Sequence, residues 1–201
     1  MSKIDAWFPS SGSRIPSLHG YQLFSAICRA QPAFHQSPDW GLHTVHGRPL
    51  GDGLIEVPRN ARFGLRLPPE QLALALALCG RTMDIGGHPL QVGFPEVRPL
   101  QPATSLSARM VTIKGYTEAE PFALGLARQL DGLGVAAEVE PGPRLVQRAG
   151  DHTIIGFALR LHGLSEADSL RLQEVGLGGR RHMGCGVLRP SRVAPPSELS
   201  P

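Results

Sequence analysis

The 201-residue sequence has little lysine, and arginine takes its place. Lys3 and Lys114 are the only lysines, so eighteen of the twenty basic residues are arginine. Arginine can contact a phosphate through two parallel hydrogen bonds and can stack on bases, which favours a nucleic-acid ligand. A GC-rich genome would produce the same bias, so the arginine content alone does not identify the ligand.

Paired cysteines and long apolar runs are also lacking. Cys28, Cys79 and Cys185 lie far apart and form no CxxC pair, which predicts reduced thiols rather than a disulfide framework. The longest apolar run, residues 72–79, is too short to cross a bilayer. The first residues lack the apolar stretch of a signal peptide. We therefore expect a soluble, cytoplasmic protein that has no membrane partner.

Aromatic residues make up only 5% of the chain, so extensive stacking of bases on aromatic platforms is not expected. Hydrophobic residues at 41% and charged residues at 18% are typical of a folded globular protein. The 24 glycines and 19 prolines predict many turns and short secondary-structure elements.

The first hundred residues predict the order strand, helix, strand, strand, helix, strand. Leu23, Phe24 and Ile27 keep helical spacing after Pro16, so a first helix is expected there. The other predicted elements are strands at residues 4–8, 42–45, 54–57 and 63–67, a helix at 70–78 and a strand or hairpin at 83–97.

The second half repeats this order. Residues 118–133 are the clearest predicted helix, because Phe122, Leu126 and Leu130 share one face and Gly134 follows. Ser165 is a good N-cap for a second helix. Strands are expected at residues 106–113, 135–140, 145–148, 153–161 and 187–188.

These two patterns define the fold class α+β, with two tandem ferredoxin-like units (β-α-β-β-α-β, RRM-like) that have antiparallel sheets. The expected limits are residues 1–100 for the first unit, which carries most of the histidines of interest, and 101–190 for the second. The Pro- and Ser-rich residues 191–201 are expected to be a disordered tail. A cleft is expected between the two sheets.

The strongest local signal is GLGGRRHMGCG at residues 176–186, here called the Gly-rich loop. Its glycines permit positive φ and close approach to a phosphate chain. A dinucleotide-binding loop would follow a strand and precede a helix, whereas this loop follows a helix and precedes a strand. The loop is either a plain turn or an RNA contact. The expected RNA-binding residues in it are Gly176, Gly178, Gly179, Arg180, Arg181, His182 and Gly184.

The Gly-rich loop, with the two residues that follow it, resembles the C-terminal glycine-rich loop of the RAMP superfamily of CRISPR-associated proteins. Residues 15–23, which read IPSLHGYQL, and the predicted strand at 111–114 extend the resemblance over nearly the whole chain. Within the superfamily the sequence is similar to the repeat-cleaving endoribonuclease, the sixth of the Cas families. The resemblance implies CRISPR repeat RNA or guide RNA as the partner, and release of guide RNAs from the CRISPR precursor.

The resemblance also implies cleavage without metal, in which a 2′-OH attacks the adjacent phosphate and leaves a 2′,3′-cyclic phosphate and a 5′-OH. That reaction needs a base, an acid and positive charge near the phosphate, and histidine suits both proton roles. The family's catalytic histidine commonly lies in or just after the first helix, after a proline. Phe34-His35 matches that place. His35 is therefore the first candidate, His43 and His19 follow, and Tyr21 is expected to assist through its hydroxyl.

A metal pair at His43 and His46 is disfavoured, because strand residues three apart face opposite sides and no partner has suitable spacing. No metal or cofactor is expected. The sequence contains no Gly-x-Ser-x-Gly motif, which a serine hydrolase with a nucleophile elbow would have. Further candidates for RNA contact are Arg14, Arg29, Lys114 and Arg144. Each of them is explained equally well as a solvated surface charge.

Two functions remain open at the level of sequence. The first is an endoribonuclease that stays bound to the 3′ repeat hairpin, in an effector complex with other Cas subunits. The second is a non-catalytic RAMP subunit that binds guide RNA as a scaffold. Four of the eight histidines lie in the first 46 residues. They favour the enzyme, because a scaffold needs positive charge but no group that transfers protons.

Overall fold

The first half of the chain is built on a sheet centred on its first strand. The computed structural model describes residues 2–37 and 39–191. The elements of this half are β1 (Ile4–Ser11), β2 (Arg14–Pro16), α1 (Gly20–Ala30), α2 (Ala33–Gln36), β3 (Gly41–His43), β4 (Arg48–Pro49), β5 (Leu54–Glu56), β6 (Arg62–Leu67), a 3-10 turn at Pro69–Gln71, α3 (Leu72–Leu76), β7 (Thr82–Asp84), β8 (Pro89–Val92) and β9 (Glu96–Pro99).

Strand β1 lies in the middle of this sheet because it pairs along both edges. One edge runs antiparallel to β6, from the pair Ile4 and Leu67 to the pair Pro9 and Arg62. The other edge pairs antiparallel with β9 and then with β8. The order β3-β6-β1-β8-β7 places the first strand of the unit between the third and the last, which is the ferredoxin-like arrangement.

The second half has the same arrangement. Its elements are β10 (Leu106–Val111), α4 (Ala119–Leu133), β11 (Glu138–Ala149), β12 (His152–His162), α5 (Glu166–Val175), a 3-10 turn at Arg181–Met183 and β13 (Arg189–Pro190). The antiparallel order β11-β12-β10-β13 again has the first strand between the third and the last. The predicted class, α+β with two tandem ferredoxin-like units, is confirmed.

Each half has its own apolar core between sheet and helices. In the first, Leu23 of α1 belongs to a core in which Phe8 and Phe63 stack with ring centroids 5.0 Å apart. In the second, Phe122 of α4 lies 4.6 Å from Phe157 of β12. Burial of one such side chain contributes about 1.5–3 kcal/mol. The apolar faces predicted for α1 and α4 are the faces that pack on the sheets.

Two arginines, one buried and one half-buried, join the halves in opposite directions. Arg66 on β6 donates to the carbonyl oxygens of Gln173 (2.9 Å) and Leu188 (2.5 Å) in the second half. Arg109 on β10 donates to the carbonyl oxygen of Ser17 in the first half. A guanidinium removed from water is costly unless its N–H groups find acceptors. These contacts therefore favour one relative placement of the two halves.

The predicted helix at residues 70–78 is shorter than expected. Only a 3-10 turn and the five residues of α3 are helical. Leu78 and Cys79 form i→i+3 hydrogen bonds, to Ala75 and Leu76, which tightens the chain out of the α-helix. Gly80, at φ +73°, then turns the backbone away.

Three strand predictions were also inaccurate. Residues 135–137 are not in a strand, and residues 138–140 and 145–148 belong to the single strand β11. The pairing of β11 with β12 shifts between Pro141 and Arg144, as a bulge does. Residues 54–57 contribute β5 to a separate small sheet, β2-β5-β4, rather than to the central one. The last strand is β13, two residues beyond the predicted 187–188.

The limits 1–100 and 101–190 of the two units stay a prediction. In the expected tail, the backbone N–H of Ser191 donates to the carbonyl oxygen of Ser105 (3.1 Å), and residues 192–201 lie outside the described residues. Across residues 2–37 and 39–191, none of the helices has both the length and the apolar character needed to cross a membrane.

Candidate active site

The Gly-rich loop is held against β10 by backbone hydrogen bonds. The N–H of Gly186 donates to Met110 O (2.7 Å), and the N–H of Gly179 donates to Thr112 O (2.9 Å). A Cβ atom on Gly178, which has φ +68°, would collide with the same Thr112 carbonyl. Glycine is required there because both the conformation and the close approach exclude a side chain. The loop is thus a fixed structure on the sheet edge.

The basic residues of the loop lie in a short turn between two left-handed residues. Arg180 has φ +59° and is the one non-glycine residue with positive φ among the described residues. Arg181–Met183 forms the 3-10 turn, and Gly184 follows at φ +81°. Arg180 is exposed, whereas Arg181 and His182 are half-buried. A non-glycine residue in the left-handed region costs about 1–2 kcal/mol, and such strain is found mostly at functional sites.

This turn lies on α1 of the first half. A Cβ atom on Gly20, at the start of α1, would collide with the carbonyl oxygen of Met183. The imidazole of His182 packs on Phe24 with ring centroids 4.7 Å apart, and Trp40 lies 6.3 Å from it. Burial, followed by the charges of Arg180, Arg181 and His35, lowers the pKa of His182. The loop therefore brings an imidazole and positive charge to the surface of α1.

His35 lies on the exposed surface of α2, beside the same aromatic side chain. Its ring centroid is 6.2 Å from that of Phe24. Together with Tyr21, Cys28 and Arg29, these residues line a surface depression of about 430 Å³. The structure thus brings both His35 and His182 of the Gly-rich loop to the side chain of Phe24.

Tyr21 is half-buried in the first turn of α1 and points at the second half. Like Leu145 and Met183, its side chain packs against a small buried cluster of the second half that includes Met110 and Cys185. Its hydroxyl is close to Gly150, in the turn between β11 and β12. The predicted assisting hydroxyl therefore lies beside the Gly-rich loop, where the tip of the long β11–β12 hairpin meets α1.

His19 is fully buried at the N-cap of α1. Its Nδ1 is 2.7 Å from Pro16 O, and its Nε2 accepts the backbone N–H of Val45 (3.1 Å). Nδ1 must therefore carry the proton and donate to the carbonyl. Burial, with the nearby charge of Arg109, lowers the pKa of His19 to about 4. His19 ties the start of α1 to the segment after β3 and has no ring nitrogen open to a substrate.

His43 is also buried, on β3. Its Nε2 is 3.2 Å from Asp5 Oδ1, and its ring stacks 4.7 Å from Trp7. Burial lowers the pKa of His43 more than the Asp5 carboxylate raises it. Asp5 in turn forms a two-fold hydrogen bond with Arg66, at 2.8 Å for each contact. His43 thus belongs to the buried network that joins the halves, whereas His35 is exposed.

The outlying basic candidates are spread over the surface. Arg29 donates to Ser25 Oγ and Asp84 O, and Arg144 donates to Thr117 O. Lys114 is exposed in the turn after β10, and Arg14 is exposed on β2. Of these four, only Arg29 lines the depression beside His35.

Two aromatic side chains of the site were not predicted as functional. Phe24 has helical spacing and was interpreted only as a core residue of α1, yet it is half-buried and contacts both His35 and His182. Trp40 is buried beneath it and donates to Phe34 O (3.0 Å). Periodicity predicts which helix face is apolar but not whether a loop from the other half covers it. Among the described residues, no group of three or more His, Cys, Asp and Glu side chains is arranged to hold a metal ion.

The fold and this site define a RAMP-type protein: two ferredoxin-like units with a Gly-rich loop lying over the first helix. The family model described as "Cas6 Crispr" matches residues 4–193. The CRISPR-associated endonuclease Cas6 of Myxococcus xanthus (strain DK1622) is 41% identical over 192 residues, which is 95% of this chain and 83% of that protein. The chain belongs to the Cas6 family.

Solved structures support the fold. A structure described as a RAMP protein binding different RNA substrates has a TM-score of 0.64 at 16% identity, covering 96% of this chain and all of that one. A CRISPR associated protein Cas6 has a TM-score of 0.62 at 13% identity, covering 94% of this chain and 99% of the other. At these identities the likeness shows a shared fold.

Proposed function

We propose that this chain is an endoribonuclease that cuts CRISPR precursor RNA within its repeats, without a metal ion, and so produces guide RNA. The observation that carries the proposal is the position of His35, exposed on α2 and beside the Gly-rich loop of the other half. A scaffold subunit needs the loop but not an exposed imidazole next to it. Membership of a family that includes a named endonuclease supports the same choice.

Charge and backbone geometry of the Gly-rich loop suit an RNA phosphate. Arg180 is exposed at a left-handed position, and Arg181 is half-buried with one N–H turned back to Gly178 O (3.3 Å). Arginine donors placed at the phosphate stabilise the negative charge that develops as the phosphorane forms. The loop therefore binds the scissile phosphate, while His35 on α2 takes part in the proton transfers.

The reaction needs two proton transfers. The 2′-oxygen attacks the adjacent phosphorus and loses its proton, the P–O5′ bond breaks, and the departing 5′-oxygen gains a proton. The products are a 2′,3′-cyclic phosphate and a 5′-OH, and no water or oxidant is consumed. His35 performs one of the transfers, because it is the exposed histidine of the first half at the depression. The Tyr21 hydroxyl contributes a contact to the RNA beside the loop.

The RNA partner is a CRISPR repeat, and the protein stays on the 3′ repeat hairpin in a complex with other Cas subunits. The basic surface near the site, formed by the loop and Arg29, offers the phosphate contacts for that retention. His19 and His43 have no part in the proposed chemistry, because both are buried and hydrogen-bonded within the protein.

The test is incubation of the purified chain with a synthetic CRISPR repeat RNA in EDTA. A single cut whose upstream fragment ends in a 2′,3′-cyclic phosphate supports the proposal. Binding of the repeat without any cut would instead favour the non-catalytic scaffold. A cut that appears only when Mg²⁺ is added would overturn the metal-independent mechanism.

A further inference from the structure

We propose that His182, in the Gly-rich loop, is the second catalytic histidine and takes the proton from the attacking 2′-OH, while His35 gives a proton to the leaving 5′-oxygen. This inference rests on the proposed endoribonuclease function. It assigns to the loop a proton-transfer role in addition to phosphate binding. Each half of the molecule would then contribute one imidazole to a single site.

The position of His182 supports this role. Its ring packs on Phe24 at 4.7 Å, and the ring of His35 lies 6.2 Å from the same Phe24. Phe24 also lines the depression of about 430 Å³ that holds His35, and this depression offers space for a phosphodiester. In-line attack requires the base and the acid on opposite sides of the phosphorus, so the phosphorus lies between the two imidazoles in the proposed complex.

The surrounding structure holds His182 in place. The N–H of Met183 donates to Arg180 O (2.9 Å), which closes the turn that carries His182. The turn is pressed between α1, at Gly20, and the segment after β3, where a Cβ on Gly184 would lie 2.8 Å from Thr44 Cγ2. A catalytic group must be fixed to within a fraction of an ångström, and this packing supplies that restraint. The left-handed backbone of Arg180 is the strain associated with it.

The charged groups around His182 determine whether it acts as the base or as the acid. Arg180 and Arg181 come from its own turn and His35 from α2, and these positive groups, together with burial, lower its pKa. Tyr21 is the titratable side chain that α1 brings beside the turn, and His43 on β3 is engaged with Asp5. An imidazole kept neutral accepts a proton, so the base role falls to His182. His35 then takes the acid role.

The step balances without another reactant. The 2′-O–P bond forms and its proton passes to His182, while the P–O5′ bond breaks and the His35 imidazolium protonates O5′. Afterwards His182 carries the proton and His35 is neutral. Exchange with water restores both before the next substrate binds.

Three variants test the assignment on a repeat RNA that the wild-type protein cleaves: His182→Ala, His182→Phe and His35→Ala. Phenylalanine keeps the ring that packs on Phe24 but cannot accept a proton. We expect both His182 variants to lose about 10²- to 10⁴-fold in single-turnover rate, with repeat affinity kept. His88→Ala, in the turn between β7 and β8, is the matched control and should cut at the wild-type rate. A His182→Phe variant that cuts normally would show that His182 only packs, and would overturn the proposal.

The base and acid roles are separated by a repeat RNA in which sulfur replaces the bridging 5′-oxygen at the cut. A thiolate leaves without protonation far more easily than an alkoxide, so the sulfur substrate needs no acid. His35→Ala should recover most of its rate on that RNA, and His182→Ala should not. Recovery of His182→Ala instead would contradict its role as base. If the wild-type chain cuts neither RNA, the proposed function itself fails, which is a different result from any of these.

Discussion

Gly20 and Met183 touch so closely that a single methyl group on Gly20 would collide with the Met183 carbonyl oxygen. This contact joins the first turn of α1 to the Gly-rich loop across the two halves. It explains why glycine stands at the position between His19 and Tyr21 in the sequence. The site depends on that closeness, because it sets the distance between the loop and the surface of α1.

Gly20→Ala should therefore push the loop off α1. We expect a loss of about 1–3 kcal/mol in unfolding free energy, as for other overpacked contacts, and at least a tenfold lower cleavage rate. Gly132→Ala in α4 is the control, because no atom lies within 4 Å of its Cβ position. That helical substitution should stabilise the protein by about 0.5–1 kcal/mol. Urea unfolding measures the stability of each variant, and single-turnover assays measure its cleavage rate. Equal stabilities and rates for the two variants would show that the contact between Gly20 and Met183 is not close.

Arg66→Met should destabilise the protein by about 3–5 kcal/mol, because Asp5 would lose its main partner while still buried. Converting both residues, as Asp5→Asn with Arg66→Met, should cost less than the sum of the single changes. The coupling measured in such a double-mutant cycle is expected to be about 1–3 kcal/mol. Urea unfolding of the four proteins gives these values. Additive effects would mean that the Asp5–Arg66 pair contributes nothing beyond its separate side chains.

Acid should unfold the protein partly through His19. Its pKa is about 4 when folded against about 6.5 in an unfolded chain. Its contribution to stability is therefore complete above pH 6.5 and is lost as the pH falls towards 4. Between pH 7 and pH 5 this loss is on the order of 2 kcal/mol. His43 and His46, whose pKa values are also lowered, add to it.

His19→Gln removes the titrating group while keeping one donor and one acceptor. Its unfolding free energy should fall less between pH 7 and pH 5 than that of the wild type, as measured by urea titrations at the two pH values. The same slope in both proteins would show that His19 is not buried in its neutral form.

Much of the fold was predictable because its signals are local. The helical spacing of Phe122, Leu126 and Leu130 predicts α4, and the glycines of the loop predict its turns. The candidate site was harder. In sequence His43 is also a candidate, second to His35, but the residues that bury His43, such as Arg66 with its bonds to Leu188, are far away along the chain. Sequence spacing says which side of a strand a residue faces, not what covers that side.

Substitution of Arg180, whose left-handed backbone is strained, should have opposite effects on stability and on RNA binding. Arg180→Gly should raise the unfolding free energy by up to about 1 kcal/mol, because glycine adopts positive φ without strain. It should also weaken repeat binding. The slope of log K for binding against log salt concentration should become shallower by about one. Arg180→Asn, which tolerates this backbone but has no charge, should bind as weakly, and Arg180→Lys should keep most of the affinity. Thermal unfolding and salt-dependent binding check these changes; unchanged binding in all three would remove Arg180 from the RNA interface.

The most direct test that His35 transfers a proton is the single-turnover cleavage rate of His35→Ala on repeat RNA in EDTA, beside His43→Asn as the buried counterpart. We expect a loss of about 10²- to 10⁴-fold for His35→Ala, with repeat affinity preserved. Properly folded His43→Asn should keep most of its rate. Cleavage by His35→Ala at the wild-type rate would show that His35 transfers no proton in the reaction.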